Sequence, residues 1–461
     1  MENLVARIEE INTIVNNFAW GPVMLILLVG TGIYLTVRTG CVQLTKFGFS
    51  MRHTVGTLFS GSSRDHGENL SPFQAVTTAL AGTVGTGNIA GVTGAIFTGG
   101  PGAVFWMWFS AFFGMFTKFA EIALAIKYRE VDENGVHHGG PMYYIKNGLG
   151  SGWGWLAAIF AFIGGLASFG IGNIAQSNEI AGAMLDIFHI GPVWTGILLA
   201  FIVAIVILGG VKRIGTVTSY LVPFMSIFYV LAGIFMIITH IPQIPGVLWL
   251  IVKEAFSFRA VGGGVFGYAI MLAMRQGCAR GVFSNEAGLG SAPIAHAASS
   301  TDEPCEQAMW GIFEVFVDTI VICSITSLAV LLSGVYTGSL ADYTSKGAAA
   351  AAAFNSMLPG SIGGFIIEVS LIFFALSTIL GWSYYGASCW EYLTHNKTFV
   401  MVYKVIFSFV CIIGAVGSGQ LVWDISDTLN GLMAIPNLIA LLLLSGVIIS
   451  MTKEYFENNI D

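Results

Sequence analysis

The chain has 461 residues, 55% hydrophobic and 10% charged, with a formal net charge of −7 and a mean hydropathy of +0.78. Soluble domains carry roughly 25% charged residues, so a single water-soluble core is excluded. The acidic balance, with no basic face against it, excludes nucleic acid as a partner, and six cysteines standing singly give neither zinc-site nor disulfide spacing.

Residues 1–17 carry Leu4, Ile8, Ile11 and Val15 at helical spacing, with acids early and no continuous apolar core. They read as an amphipathic helix on the membrane interface rather than a cleavable signal. A first span near 18–37 leads into a polar, basic connection, the two together filling 18–70. Further spans are expected near 72–98, 102–127, 142–187, 191–210, 216–240, 259–280, 308–333, 361–387, 399–416 and 430–451. That makes about eleven, most near the ~20 residues that cross a bilayer. The 142–187 segment is long for one helix and is expected to start outside the bilayer core, at Gly139-Gly140-Pro141. Residues 452–461 read as a cytoplasmic tail. Short loops holding Arg38, Lys46, Arg52, Arg64, Lys127, Arg129, Lys212 and Arg213 fall on one side, and only Lys253, Arg259 and Lys346 oppose them. By the positive-inside rule the N-terminus is outside and the C-terminus cytoplasmic. The chain is therefore read as a multi-pass protein of the cell membrane, with the lipid bilayer as its first partner.

Ten spans remain after the first, divisible into a repeat over 71–240 and a second over 241–451. Each opens with a glycine-interrupted span. The first holds ALAGTVGTGNIAG at 79–91, and the second AVGGGVFGYAIMLAMRQGCARG at 260–281. Broken helices at matching positions in two halves point to the binding site of an inverted-repeat transporter, and an odd number of spans per half requires the inversion. Unwinding frees carbonyls to ligate a cation and amides to hold a carboxylate beside the positive end of a half-helix. Thr83, Thr86 and Asn88 add neutral oxygens, the donors that hard alkali cations prefer. The competing reading is close helix packing through the small pairs Ala81/Gly85 and Gly87/Gly91. A phosphate loop is disfavoured because GTVGTG lacks the required glycine order and follows no strand.

A second constellation is Phe374-Ala375-Leu376-Ser377-Thr378. Such hydroxyls usually bond back to their own helix, but beside an unwound helix they complete a cation site. Arg275, Glu314, Asp318 and Glu368 lie within spans, where charges are costly. Glu314 and Asp318 are read as a proton path or as ion-pair partners of Arg275 or Arg280. Lys118 and Glu121 are read as a snorkelling pair near a cytoplasmic end. No nucleophile–base pair or metal cluster appears, and His137-His138 sits in a loop, so an enzyme is not expected.

The segments GGPGAVFWMW at 99–108 and RGVFSNEAGLGSAP at 280–293 resemble signatures of the alanine or glycine:cation symporters, also called sodium:alanine symporters. That family lies within the amino acid–polyamine–cation superfamily, and the resemblance covers essentially the whole chain. It implies an all-α polytopic protein with a leucine-transporter-type 5+5 inverted repeat and one extra N-terminal transmembrane helix. AGTVGTGN further resembles the GNAVGLGN pattern of sodium-coupled neurotransmitter transporters. That match implies one Na⁺ among the carbonyls of Ala81, Val84 and Phe374 and the hydroxyls of Ser377 and Thr378. It also aligns Asn88 and the Thr83 carbonyl with a second sodium, although Thr83 stands where alanine is usual. The substrate carboxylate is then expected at the amides of Gly85, Thr86 and Gly87. Its ammonium is expected at carbonyls of Ala81 and of a second break among Met271, Gln276 and Gly277. Asn173 and Gln176 are read either as ligands or as interhelical hydrogen bonds, and Phe374 and Trp382 as the floor of a small pocket. The implied function is Na⁺-driven import of a small neutral amino acid, alanine or glycine, with Na⁺ as coupling ion. Proton coupling through Glu314, Asp318 or Glu368 is the alternative, and repeat-related breaks disfavour a channel. The sequence leaves the oligomeric state open, a monomer being compatible with it.

Overall fold

The computed structural model describes residues 2–56, 69–257, 268–417 and 419–459, and nearly all of them are helical. Helix α1 (Glu2–Ala19) precedes α2 (Pro22–Arg38) and two short turns, α3 (Val42–Thr45) and α4 (Phe47–His53). Then come α5 (Pro72–Thr83) and, after a π-helical turn at Gly87–Gly91, α6 (Val92–Gly99); the two lie on either side of a 45° bend. Helix α7 (Gly102–Lys127), a two-residue hairpin of β1 (Glu130–Val131) and β2 (His137–His138), and α8 (Pro141–Leu149) follow. Next are α9 (Gly154–Phe169) and α10 (Ala175–Phe188), joined by a π turn at Gly170–Ile174, then α11 (Pro192–Ile207), α12 (Gly210–Thr239) and α13 (Ile244–Ala255). The second half holds α14 (Tyr268–Asn285), α15 (Ala292–Ala297), and α16 (Pro304–Val315) continued through a π segment at Phe316–Cys323 into α17 (Ser324–Ser333). It closes with α18 (Lys346–Met357), α19 (Ile362–Thr394), α20 (Lys397–Val416), α21 (Gly419–Leu443) and α22 (Ser445–Asn458).

Among the described residues, eight helices are long and apolar enough to span a bilayer, and the bent pair α5–α6 makes a ninth. The shorter helix α11 is also apolar, and the start of the span expected at 259–280 lies outside the described residues. Proline at the first or second position starts α2, α5, α8, α11 and α16, where its missing N–H costs nothing. Ser71 caps α5 in a reciprocal box with Gln74. The outer faces are greasy: Tyr220, Phe224, Ile227, Leu231 and Ile238 of α12, and Trp194 and Phe201 of α11, are exposed, as lipid-facing helices require. Small residues let other helices touch. A Cβ added at Gly381 of α19 would lie 2.7 Å from the Gly82 nitrogen of α5, and one at Gly196 of α11 would lie 2.8 Å from Ile412 Cα of α20.

The structure redraws three segments. Residues expected in one long span from 142 divide into α8 and the continuous α9–α10, separated at Gly150, whose φ is +96°. The last span is α21, starting at residue 419 rather than near 430; hydropathy favoured the more apolar stretch downstream because Asp424, Asp427 and Asn430 dilute the true first turns. Residues 445–458, read as the end of a span plus a tail, form the separate helix α22. Helix α1 also does more than lie at an interface. The Trp20 indole just after it donates to the Asp427 carbonyl at 2.7 Å, and Asn16 donates to Thr428 at 3.1 Å, fastening α1 to α21.

Candidate substrate and cation site

The first break is where the glycines place it. Helix α5 ends at Val84, which is extended (φ −77°, ψ 94°), and the backbone groups freed there are met by side chains. The Gly85 N–H donates to Asn88 Oδ1 at 2.8 Å, and the Thr86 N–H donates to Gln176 Oε1 at 3.3 Å. Gly85 and Gly87 are glycine for lack of room. A Cβ at Gly85 would sit 2.3 Å from Thr378 Oγ1, and one at Gly87 would sit 3.2 Å from Phe283 and 3.3 Å from Ser284.

Helix α19 supplies the opposite wall. Ser377 Oγ and Thr378 Oγ1 donate to their own helix at the Phe374 carbonyl, at 2.8 and 3.0 Å, and Ser377 Oγ also reaches the Val84 carbonyl at 3.4 Å. Val84, Phe374, Ser377 and Thr378 therefore meet, all buried; Ala81 is buried one turn earlier on α5. Thr83 turns its hydroxyl back to Ala79 and Leu80. Trp382 comes close because Gly172 has no side chain: a Cβ there would lie 2.2 Å from Trp382 Cβ. Asn173 is spent on packing, donating to the Phe407 carbonyl at 2.7 Å. Of the two polar residues read from that helix, Gln176 alone reaches the first break.

The second break is not among Met271, Gln276 and Gly277. Helix α14 runs unbroken through all three. Met271 is half exposed, Gln276 lines a cavity of about 300 Å³ near α1, and Gly277 packs against α7, where a Cβ would meet the Ala103 carbonyl at 2.2 Å. Gly262, Gly263, Gly264 and Gly267 lie outside the described residues. The chain unwinds later, between Asn285 and Ala292, with Glu286, Gly288 and Gly290 at φ of +58°, +92° and +81°. A positive φ at a non-glycine residue such as Glu286 marks a constrained backbone.

Lys118 and Glu121 of α7 brace this break. The Lys118 ammonium donates to the Asn285 carbonyl at 2.8 Å, capping the open end of α14, and pairs with Glu314 at 3.2 Å. Glu314 is bonded in turn to His296 Nε2 at 2.6 Å. The Glu121 carboxyl faces the amides of Gly288 and Gly290, and Asn437 of α21 donates to Glu121 and to the Gly288 carbonyl. The snorkelling reading fails because both side chains are wholly buried. Lys118 stands nine residues before the helix end at Lys127, about 13 Å deep at 1.5 Å per residue. Nor do Glu314 and Asp318 pair with Arg275 or Arg280. Arg280 forms a two-pronged pair with Asp427, and Arg275 bonds to Asn16 and Asn17. Asp318 accepts from Asn88, Ser284 and Thr319.

Two interrupted helices, α5–α6 and α14–α15, leave backbone polar groups inside the bundle, and those of the first meet the hydroxyls of α19. The sequence profile of the sodium:alanine symporter family matches residues 5–461. The chain belongs to the sodium:alanine symporter family. It is 50% identical over 454 residues to the sodium/alanine symporter AgcS of Methanococcus maripaludis, covering 98% of this chain and 97% of that one. It is 38% identical over 450 residues to the probable sodium/glutamine symporter GlnT of Bacillus subtilis, covering 97% and 91%. The crystal structure of MhsT in complex with L-phenylalanine superposes with a TM-score of 0.55 at 14% identity, covering 84% of this chain and 98% of that one. That likeness carries the fold, the leucine-transporter-type arrangement. A member of the sodium:alanine symporter family is a multi-pass membrane transporter that moves an amino acid together with a cation, not an enzyme.

Proposed function

We propose that this symporter imports alanine or glycine with Na⁺ by alternating access between a repeat over 71–240 and one over 241–451. The observation that carries the reading is the meeting of the Val84 carbonyl, at the open end of α5, with the Phe374 carbonyl and the Ser377 and Thr378 hydroxyls of α19. All are neutral oxygens, which suits a hard monovalent cation rather than a softer metal. An ion there, with the Ala81 carbonyl completing the set, would tie α5 to α19. The substrate carboxylate would displace Asn88 and Gln176 from the amides of Gly85 and Thr86, with Gly87 beside them. Phe374 and Trp382, both fully buried, would floor the site and limit it to a small side chain. The unwound carbonyls between Asn285 and Ala292, in place of the α14 positions, would take the ammonium. The printed name of the half-identical relative, a sodium/alanine symporter, supports the ion and the substrate. The N-terminus is placed outside and the C-terminus in the cytoplasm by the basic loops.

A proton-coupled reading draws on the buried chain Lys118–Glu314–His296–Gln307, which leads from the second break to the start of α16. Uptake of labelled alanine and glycine into proteoliposomes separates the two. The expected result is accumulation under an inward Na⁺ gradient but not under an equal K⁺ gradient, lost in Ser377→Ala and Thr378→Ala. Accumulation driven by a pH gradient and indifferent to Na⁺ would overturn the sodium reading.

A further inference from the structure

A second cavity, sharing no residue with either break, opens where the first span ends. It measures about 330 Å³ and lies between the end of α2 with the short turn α3 on one side and the C-terminal helix α22 on the other. Arg38, the one charged residue of α2, is its last, so the cavity stands at the edge of the bilayer. Its walls are fixed by packing. Val42 and Phe456 are buried, Phe456 meets Phe49 of α4 edge-on at 5.7 Å, and Phe47, next to Lys46, meets Phe316 at 5.1 Å. Three threonines line it but spend their hydroxyl hydrogens on nearby carbonyls: Thr39 on Leu35 at 2.7 Å, Thr45 on Cys41 at 3.2 Å and Thr452 on Ile448 at 2.7 Å. The lining side chains therefore offer two cationic donors, Lys46 and Lys453, against one carboxylate, Glu457. Among the described residues neither lysine makes an ion pair. An apolar strip leads to the rim. Ile26, Gly30, Ile33 and Val37 follow one another at helical spacing on one face of α2. The three large residues are exposed, and a Cβ at Gly30 would have nothing within 4 Å, so the strip is notched.

We propose that this cavity holds the phosphate of an anionic glycerophospholipid, such as phosphatidylglycerol, between Lys46 and Lys453, with the acyl chains on the Ile26–Val37 strip of α2. Two ammonium groups beside apolar walls suit an amphiphile. A free phosphate would find too few donors there to replace its water, whereas a lipid gains from its chains as well. The volume lies at the low end of the range for small-molecule sites, roughly 300–1,000 Å³, which admits a headgroup and leaves the tails outside. Basic pockets between spans on the cytoplasmic side select anionic headgroups, and Lys46 and Lys453 lie on the side to which the basic loops assign the cytoplasm. The lysine stems run along apolar surface while their charged ends reach the headgroup level. The bound lipid bridges the first span and α22, elements from opposite ends of the chain.

The test is native mass spectrometry of the purified full-length protein, titrated in detergent with phosphatidylglycerol, phosphatidylcholine or glycerol phosphate. Phosphatidylglycerol is expected to be retained more tightly than phosphatidylcholine, and glycerol phosphate not at all. Each basic side chain near a headgroup changes affinity by about fivefold. Lys46→Gln and Lys453→Gln should therefore each weaken phosphatidylglycerol by about fivefold, and the pair together by about 25-fold. Glu457→Gln removes the opposing charge and should tighten it, which loss of a merely structural contact would not do. Lys127→Gln/Lys212→Gln takes two cations from other loops of the same side and should leave the affinity unchanged. An equal loss in that control would mean diffuse attraction to a basic surface and overturns the site. So does phosphatidylcholine binding as tightly as phosphatidylglycerol. Glycerol phosphate binding as tightly as the lipid would make this an anion site without a membrane ligand, which overturns the lipid.

Discussion

Gly381→Ala tests whether the contact between α5 and α19 holds the coupling ion. The added Cβ would lie 2.7 Å from the Gly82 nitrogen, 3.0 Å from its Cα and 3.2 Å from the Thr78 carbonyl. Carbon prefers neighbours at roughly 3.5–4.0 Å, so the two backbones must part by about 1 Å. The clash is one helical turn from Ser377 and Thr378, whose reach to the Val84 carbonyl is already 3.4 Å. Overpacking a tight interface costs ~1–3 kcal/mol. If that penalty falls on the ion-bound state, half-saturation by Na⁺ rises roughly fivefold to 150-fold, at 1.4 kcal/mol per tenfold. The assay is the Na⁺ dependence of alanine uptake in proteoliposomes. Gly277→Ala serves as a packing control, since its clash with α7 is comparable but remote from the site; Gly182→Ala has nothing within 4 Å. Gly381→Ala should move the Na⁺ midpoint, Gly277→Ala should lower thermal stability with the midpoint retained, and Gly182→Ala should do neither. A wild-type midpoint in Gly381→Ala would refute the argument that this crossing positions the ion.

Lys118→Met leaves Glu314 and the Asn285 carbonyl without their cation, and breaking one side of a buried pair costs about 3–5 kcal/mol; a thermal melt of the purified protein should drop steeply and recover in part in Lys118→Met/Glu314→Gln. Trp382→Phe opens space at the site, so uptake of larger neutral amino acids should rise relative to alanine; an unchanged ratio in competition assays would show that Trp382 does not limit side-chain size. Outside the membrane, the Asp132 carboxyl is held below its usual range chiefly by the Val136 N–H, with the Asn134 N–H and His138 adding to it. The hairpin at 130–138 should therefore be fully stabilised above the ordinary carboxylate pKa and loosen as pH falls through the depressed folded value. Hydrogen exchange over these residues, compared with Asp132→Asn, reads this directly, and identical pH profiles in the two proteins would contradict it.

The first break was legible because its cause is local. Glycines at 82, 85 and 87 in an uncharged run mark either close packing or unwinding, and the structure uses them for both. The convergence with Ser377 and Thr378, some 290 residues on, was readable only as a possibility beside an unwound helix until the resemblance paired them with Val84, since nothing local distinguishes that pair from hydroxyls bonded to their own helix. The second break was misplaced by the same local logic. A run of glycines at 262–267 outweighed the pair at Gly288 and Gly290, although Pro293 just beyond them was a breaker in plain view. What the sequence could not convey was the partner of each charge. Lys118, Glu121, Glu314 and Asp318 look alike as charges in apolar helices, and only packing divides them into an ion pair beside a backbone break and an acid with no ion-pair partner among the described residues. Depth was the available clue, since nine residues from a helix end is too far for a lysine to reach water.

The bracing of the second break also decides which parts of the protein can travel together. Lys118 of α7 holds that segment through the Asn285 carbonyl, and Glu121 of the same helix reaches it through Asn437, which also donates to the Gly288 carbonyl. Separating α7 from the loop would bare a buried ammonium, a carboxylate and several peptide groups at once. The loop and α7 must therefore be passengers in one rigid carriage whichever way the transporter faces. The links to α21 mix polar and apolar contacts: Asn437 at the loop, Arg280 with Asp427, and Leu438 in the core shared with Leu289 and Phe116. Of the two faces of the break, the one toward α7 therefore carries the buried ion pair and the one toward α21 does not.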